Sequence, residues 1–277
     1  MSSEKHMRLP PALMNVSVNK PVLAGIVVAV IVIYIIWSSS YPSSESKMST
    51  GIPEELKYKE DGTDAKIEVK DERINIEGAT GEVFYRVAVD ARQALKIRGN
   101  VLLLHGMKFS SEDWFKLKTI HQLAKFGYRV VAVDLPGFKN SKDSTLTAAN
   151  DDFLRNLIKT LKVEPAVVVS PSMSGSFSLP LLMKDQSLFR GFVPVAPVDS
   201  DKYTRADYEK IKVPTMIVYG ELDTTLGSQS LENLKNIPNS KVHMLPKAKH
   251  PAYLDQPDMW HEILYSFLQD LEHQKTN

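Results

Sequence analysis

The stretch Ala166-Val167-Val168-Val169-Ser170-Pro171-Ser172-Met173-Ser174-Gly175 decides how the rest of this chain is read. Four apolar residues run without a polar break, as in a strand buried on both faces of a sheet. A serine then follows with small residues two positions to either side. A serine hydroxyl is a weak nucleophile until it is presented to a base. A sharp strand-to-helix turn presents it by holding the serine in a strained backbone conformation. Such a turn accepts only small side chains at the flanking positions. Ser170 and Ser174 meet that demand where the common pattern has glycines, and Gly175 leaves room for the next helix. Ser172 is therefore the expected nucleophile, with Ser170 and Ser174 as spacers. The plainer alternative is a serine-rich loop whose hydroxyls cap a helix.

The surroundings of this stretch favour the first reading. Continuous apolar runs recur at 101–104 (VLLL), 130–133 (VVAV), 192–196 (FVPVA) and 216–219 (MIVY), with a shorter, more polar run at 242–245. Helical stripes lie between them: Trp114, Leu117 and Ile120; Phe153, Leu154, Leu157, Ile158 and Leu161; and Trp260 through Leu271. Ser110 and Asp113 have the spacing of a capping box. Lys66 to Ile76 and Glu82 to Val89 alternate, as antiparallel strands do. Strands alternating with helices predict an α/β fold, a mostly parallel, doubly wound sheet with helices on both faces. The segment between Ala196 and Pro214 is too short for a large cap.

Function in such a sheet gathers at the carboxyl ends of the strands. Those ends carry His105-Gly106, Asp134, Ser172, Asp199, Asp223 and His250. His250 is expected to take the Ser172 proton and return it to the leaving group. Asp223 is expected to orient the imidazole and stabilise its cation. Glu221 and Asp199 remain rivals for the acid. The oxyanion of an acyl intermediate needs backbone N–H donors; the amide of Met173, just after the nucleophile, is expected to be one and that of Met107, in the loop after VLLLHG, the other. His105 reads as a structural ring holding the oxyanion loop. Lys108 reads as a solvated charge or a contact for an anionic group, and Tyr203 and Tyr208 as wall residues or surface tyrosines.

Composition narrows the classes further. The chain has 34 basic and 33 acidic side chains, which leaves no basic excess for a nucleic-acid footprint. It has no cysteine, so a thiol nucleophile and Cys-ligated zinc are excluded. The seven histidines show no HExxH or similar spacing, so no metal site is expected.

At the N-terminus, Pro21 to Trp37 reads PVLAGIVVAVIVIYIIW without a charge. At a helical rise of about 1.5 Å per residue this just reaches across a thin bilayer. The expected organisation is a cytosolic segment (1–20), a transmembrane signal-anchor helix (21–37), a stalk (38–65) and the α/β domain (66–273). A cleaved signal peptide is the competing reading. Lys5, Arg8 and Lys20 precede the helix, a bias that predicts a type II protein with a lumenal or extracellular domain, against a cytoplasmic alternative.

The segments VLLLHGMKFSSEDW, GYRVVAVDLPGF, VVVSPSMSGSFSLP, GFVPVAPV, TMIVYGELD and HPAYLDQPDMW together resemble the α/β-hydrolase domain-containing protein 14 family. The resemblance runs from about Ile74 to Leu271. It implies the α/β-hydrolase fold, the set Ser172, Asp223 and His250, and a serine hydrolase acting on small acyl groups. It also implies removal of acyl groups from lysine with coenzyme A as acceptor. The expected partners are a small acyl-bearing substrate or an acylated protein side chain, together with the membrane, and no resident cofactor. A non-catalytic scaffold on the same fold is the alternative.

Overall fold

Residues along each apolar run point alternately to two faces of one sheet, and each face is covered by helices. The computed structural model describes residues 51–60, 62–64 and 66–274. Among them, the strands of the eight-stranded sheet are β1 (Ile67–Asn75), β2 (Glu82–Asp90), β3 (Gly99–Leu103), β4 (Tyr128–Val133), β5 (Ala166–Pro171), β6 (Phe189–Val195), β7 (Thr215–Gly220) and β8 (Ser240–Leu245), and Ala79–Thr80 pairs separately with Thr145–Leu146. Their order is β1-β2-β4-β3-β5-β6-β7-β8. β2 is antiparallel to both β1 and β4, and every later pairing is parallel. β5, the strand that leads into Ser172, thus lies between β3 and β6, deep in the sheet.

The helices are α1 (Ser111–Lys116), α2 (Thr119–Lys125), α3 (Asn150–Thr160), α4 (Gly175–Lys184), α5 (Arg205–Tyr208), α6 (Leu226–Leu234), α7 (Ala252–Asp255) and α8 (Pro257–His273). Val101, Leu103, Val130, Ala132, Val167 and Val169 pack with Trp114, Ile120, Trp260 and Leu264 from α1, α2 and α8. Their neighbours Leu102, Leu104, Val131, Val133 and Val168 pack on the other face with Phe153, Leu157, Leu181 and Leu234 from α3, α4 and α6. Covering both faces is what a parallel sheet without polar alternation requires. β8 pairs only with β7 and leaves Val242 and Met244 exposed, which accounts for its more polar sequence.

The capping box at Ser110 and Asp113 is present. The stripe through Trp114, Leu117 and Ile120 is two helices instead of one. Lys118 adopts φ 65° between them, a left-handed conformation that ends α1 and redirects the chain into α2. Residues 51–60 and 62–64, which the composition places in a linker, lie against the rest of the domain. Ile52 is buried, Gln122 holds the Tyr58 amide at 2.9 Å and the Leu56 carbonyl at 2.5 Å, and buried Asp64 meets Lys125 Nζ at 2.7 Å.

The expected type II membrane placement is corrected. Among the described residues no helix is long and apolar enough to cross a membrane. The longest, α8, has 17 residues, carries Asp258, Glu262, Asp270 and Glu272, and buries Trp260, Leu264 and Phe267 against the sheet. A span needs about 20 predominantly apolar residues. The 21–37 stretch behind that expectation lies outside the described residues, and the expected membrane partner is not supported.

Two histidines near residues 51–60 and 62–64 are held neutral. His121, ringed by Tyr58 and Phe115, is pushed down to about 4 by burial and by neighbouring Lys118. His261, whose Nε2 meets Thr119 Oγ1 at 2.9 Å, is pushed down to about 4 by burial. Both values lie below the ordinary 6.5, so the unfolded chain binds more protons between the two. Their contribution to stability is full above pH 6.5 and is lost as pH falls toward 4. We expect the thermal midpoint to fall through that window, and the slope to flatten in a His121→Phe/His261→Gln double variant. An unchanged slope in the double variant would contradict this.

Candidate active site

β5 ends at Pro171, and the next residue, Ser172, turns with φ 50°. A non-glycine residue in the left-handed region costs roughly 1–3 kcal/mol and persists only where its surroundings hold it. Those surroundings are close. A Cβ on Gly106 would lie 3.3 Å from Ser172 Cβ, so the loop after β3 passes directly against the serine. A Cβ on Gly175 would meet Pro197 Cβ and the Val198 carbonyl, each at 2.6 Å. The Val198 amide donates to the Ser172 carbonyl at 2.9 Å, tying the turn to the loop after β6.

Behind the turn, Ser170, Ser174 and Ser178 are completely buried and share hydroxyl contacts. Sequence reading assigns the first two only a small size and passes over Ser178. Its one signal is the spacing 170, 174, 178, which brings all three to one side of the strand-helix junction.

The structure brings together Ser172, His250 and Asp223. His250 Nε2 lies 2.8 Å from Ser172 Oγ, and His250 Nδ1 lies 2.6 Å from Asp223 Oδ2. The Asp223 side chain is 3% exposed while the imidazole is 36% exposed, so the acid is dry and the ring opens toward solvent. Thr225 Oγ1 donates to Asp223 Oδ1 at 3.4 Å. Gly227 makes room for this acid, because a Cβ there would sit 2.9 Å from Asp223 Cβ. Gly220 does the same for the histidine loop. Its Cβ would come within 2.2 Å of the Lys249 carbonyl and 2.4 Å of the Ala248 carbonyl. Neither glycine stands out in the sequence.

The two rival acids are engaged elsewhere. Glu221 Oε2 accepts from the Lys247 amide at 2.7 Å, bracing the approach to His250, and Asp199 pairs with Lys202 at 2.9 Å. His105 is completely buried. Its Nε2 accepts from the Leu135 amide at 2.9 Å, so Nδ1 carries the proton donated to the Gly106 carbonyl at 2.8 Å. Burial pushes its pKa down, and both ring nitrogens are used in holding the loop after β3. Asp134, also buried, accepts from the Ser111 amide at 2.7 Å and from Asn140, joining the ends of β3 and β4. Tyr208 is buried with its hydroxyl on the Ser200 carbonyl at 2.6 Å, so it is a core residue and no wall, whereas Tyr203 is half-buried.

Met107 and Met173 follow Gly106 and Ser172. The Met107 side chain is 66% exposed, and Leu222, next to Asp223, is 53% exposed, so two apolar side chains stand at the rim. Beside the Met107 loop a cleft of about 490 Å3 is lined by both signs of charge, with Arg86, Lys108, Lys116 and Lys139 facing Glu112 and Asp113. No group of His, Cys, Asp or Glu among the described residues is arranged to hold a metal ion.

Comparison with known proteins agrees with this architecture. The alpha/beta hydrolase fold family matches residues 99–209. Rat ABHD14B, named "Putative protein-lysine deacylase ABHD14B", is 44% identical over 212 residues, covering 75% of this chain and 99% of the relative. Human Protein ABHD14A is 42% identical over 192 residues, 68% of this chain and 70% of the relative. The chain belongs to the ABHD14 family of α/β hydrolases. It is an enzyme of the serine hydrolase type. Among solved structures, a predicted CIB-like hydrolase from Thermoplasma acidophilum superposes with TM-score 0.64 at 27% identity, covering 74% of this chain and 99% of that one. Carboxylesterase CesB from Bacillus subtilis, at 18% identity and TM-score 0.61 over 73% of this chain and 92% of its own, shares the fold. The ABHD14 relationship agrees with the family resemblance carried by the sequence motifs.

The contacts of Gly220 generate a specific expectation. Gly220→Ala forces a methyl group onto backbone carbonyls that cannot rotate away, an overpacking worth about 1–3 kcal/mol. The thermal midpoint should drop by several degrees, and hydrolysis should fall more than stability, because the displaced residues lead directly into His250. A variant with native stability and native hydrolysis would contradict this packing.

Proposed function

We propose that this ABHD14-family enzyme removes small acyl groups from esters, thioesters or acylated lysine side chains through a seryl-enzyme intermediate. The observation that carries the reading is the unbroken line from Ser172 Oγ through the imidazole of His250 to Asp223, at 2.8 and 2.6 Å. Ser172 Oγ attacks the acyl carbonyl as His250 Nε2 takes its proton. Asp223 keeps the other proton on Nδ1 and stabilises the cation that forms. The carbonyl π electrons move to oxygen, and the amides of Met107 and Met173 are proposed to meet that oxyanion. Collapse expels the leaving group, which takes the proton from Nε2 and leaves Ser172 acylated. An acceptor then enters the vacated position and bonds to the acyl carbon as His250 Nε2 takes its proton; the Ser172 Oγ–acyl bond breaks, Oγ takes the proton back from Nε2, and the acyl group leaves on the acceptor.

Water serves as acceptor in hydrolysis. Coenzyme A, the acceptor implied by the family resemblance, is a polyanion. Lys108 and Lys139, on the cleft beside the Met107 loop, are the residues that would meet its phosphates, since Lys116 on the same cleft is paired with Glu112 at 3.5 Å and Asp113 adds a second carboxylate there.

The mouth of the site supports small acyl groups. The segment between β6 and β7 contains only a 3-10 turn (Ser200–Lys202) and the four-residue α5, which is too little chain to bury a long acyl tail. The name of rat ABHD14B, a relative at 44% identity, supports an acylated lysine as one substrate class.

Two measurements test the proposal. Ser172→Ala should abolish turnover of a short-chain ester and of an acetyl-lysine peptide, while Asp223→Asn should lower kcat by about 10^4 through loss of the correct tautomer. Unchanged turnover in Ser172→Ala removes the nucleophile and the mechanism with it. In an acyl-length series, kcat/KM should decline from short to long chains. A steady rise with chain length would contradict the open site.

A further inference from the structure

The buried serines behind Ser172 form a hydrogen-bonded chain whose proton directions follow from a single carbonyl. Ser174 Oγ donates to the Pro171 carbonyl at 2.8 Å, since a carbonyl can only accept. A hydroxyl has one proton, so at the 3.1 Å contact between Ser170 Oγ and Ser174 Oγ the donor is Ser170. The Ser170 proton is then committed, and at the 2.6 Å contact with Ser178 Oγ the donor is Ser178. The chain runs Ser178 to Ser170 to Ser174 to the Pro171 carbonyl, and all three residues have zero exposure.

Its terminus is the informative part. The Pro171 carbonyl belongs to the peptide unit whose nitrogen is Ser172 N, so the bond from Ser174 fixes the plane immediately before the turn. The following plane, which carries the Met173 amide, is fixed by the Val198 amide on the Ser172 carbonyl at 2.9 Å. Both planes flanking the φ 50° residue are thereby held. Glycines at 170 and 174 would leave space but supply no such bond.

We infer that Ser170, Ser174 and Ser178 are positioning residues for Ser172, acting as a directional hydroxyl chain that holds the nucleophile and the Met173 amide in register. This rests on the proposed role of Ser172. The chain touches no substrate and acts through the backbone of the turn. Its direction ranks the three members. Removing Ser174 strips the Pro171 carbonyl of its donor and leaves the buried Ser170 proton without an acceptor. Removing Ser178 takes away one donor and orphans no proton.

The test is the second-order rate at which a fluorophosphonate modifies Ser172, together with kcat and KM for a short-chain ester, in wild type, Ser174→Ala, Ser174→Thr and Ser178→Ala. Rates are taken per folded enzyme, and thermal midpoints are recorded alongside. Small misplacements of a reacting group cost up to about 100-fold. We expect Ser174→Ala to slow modification and kcat by roughly 10-fold or more with KM within about twofold of wild type. Ser174→Thr, which keeps the hydroxyl, should recover most of the rate, and Ser178→Ala should lose only about two- to threefold. Should Ser174→Ala fail to fold, Ser178→Ala against Ser174→Thr still decides: a loss in the first and not in the second supports the chain. Wild-type rates in every folded serine variant, with only the midpoints lowered, would make the serines merely structural and overturn the inference. A larger loss in Ser178→Ala than in Ser174→Ala would overturn the direction. Absence of modification at Ser172 in wild type would overturn the catalytic reading itself, and the positioning claim with it.

Discussion

The turn at Ser172 is the constraint on which the rest of the site depends. A serine held at φ 50° is unfavourable by itself and is maintained by elements from four parts of the chain. β5 delivers it from between two parallel neighbours. Gly106 lets the loop after β3 close over it, Gly175 lets the loop after β6 close beneath it, and the Val198 amide fastens its carbonyl. The strain is borne by the central strands and expressed at their carboxyl ends. A residue set there has its side chain lifted clear of its own backbone, which is what a hydroxyl needs in order to meet both a base and a carbonyl carbon.

Burial is divided among the three groups in a way that matches their chemistry. Asp223 is almost dry, at 3% side-chain exposure, so its attraction for an imidazolium is little weakened by water. His250 stays partly open, which the proposed proton transfer at Nε2 requires. His105, the other histidine at this edge, has both nitrogens occupied and is held neutral by burial, so it holds a loop and plays no part in proton transfer. The two histidines thus differ in what their ring nitrogens meet.

Much of this was legible in the sequence, for identifiable reasons. VLLL, VVAV and AVVV read as buried strands because a parallel sheet covered on both faces leaves no polar alternation. The spacing of small residues around Ser172 and the order Ser172, Asp223, His250 bring out the three side chains that the fold places in line. Asp223 stands ahead of Glu221 and Asp199 in the sequence because it follows a buried strand and a glycine, but the contacts that occupy the rivals, such as the Lys247 amide on Glu221, have no signature along the chain. Gly220 and Gly227 were silent because the backbone and side chain they accommodate lie close only after folding. Residues 51–60 and 62–64 looked like linker from their charge, yet a few anchors, Ile52, Asp64 and the bonds from Gln122, suffice to seat them. Tyr208 resembled a surface tyrosine and is a core residue with its hydroxyl satisfied.

The most direct test of the account is a crystal structure of the enzyme treated with a short-chain phosphonate. The expected result is a single covalent bond to Ser172 Oγ, with the phosphonyl oxygen about 2.7–3.1 Å from the amides of Met107 and Met173. A phosphonate bound to another residue, or one on Ser172 with its oxygen turned away from both amides, would contradict it.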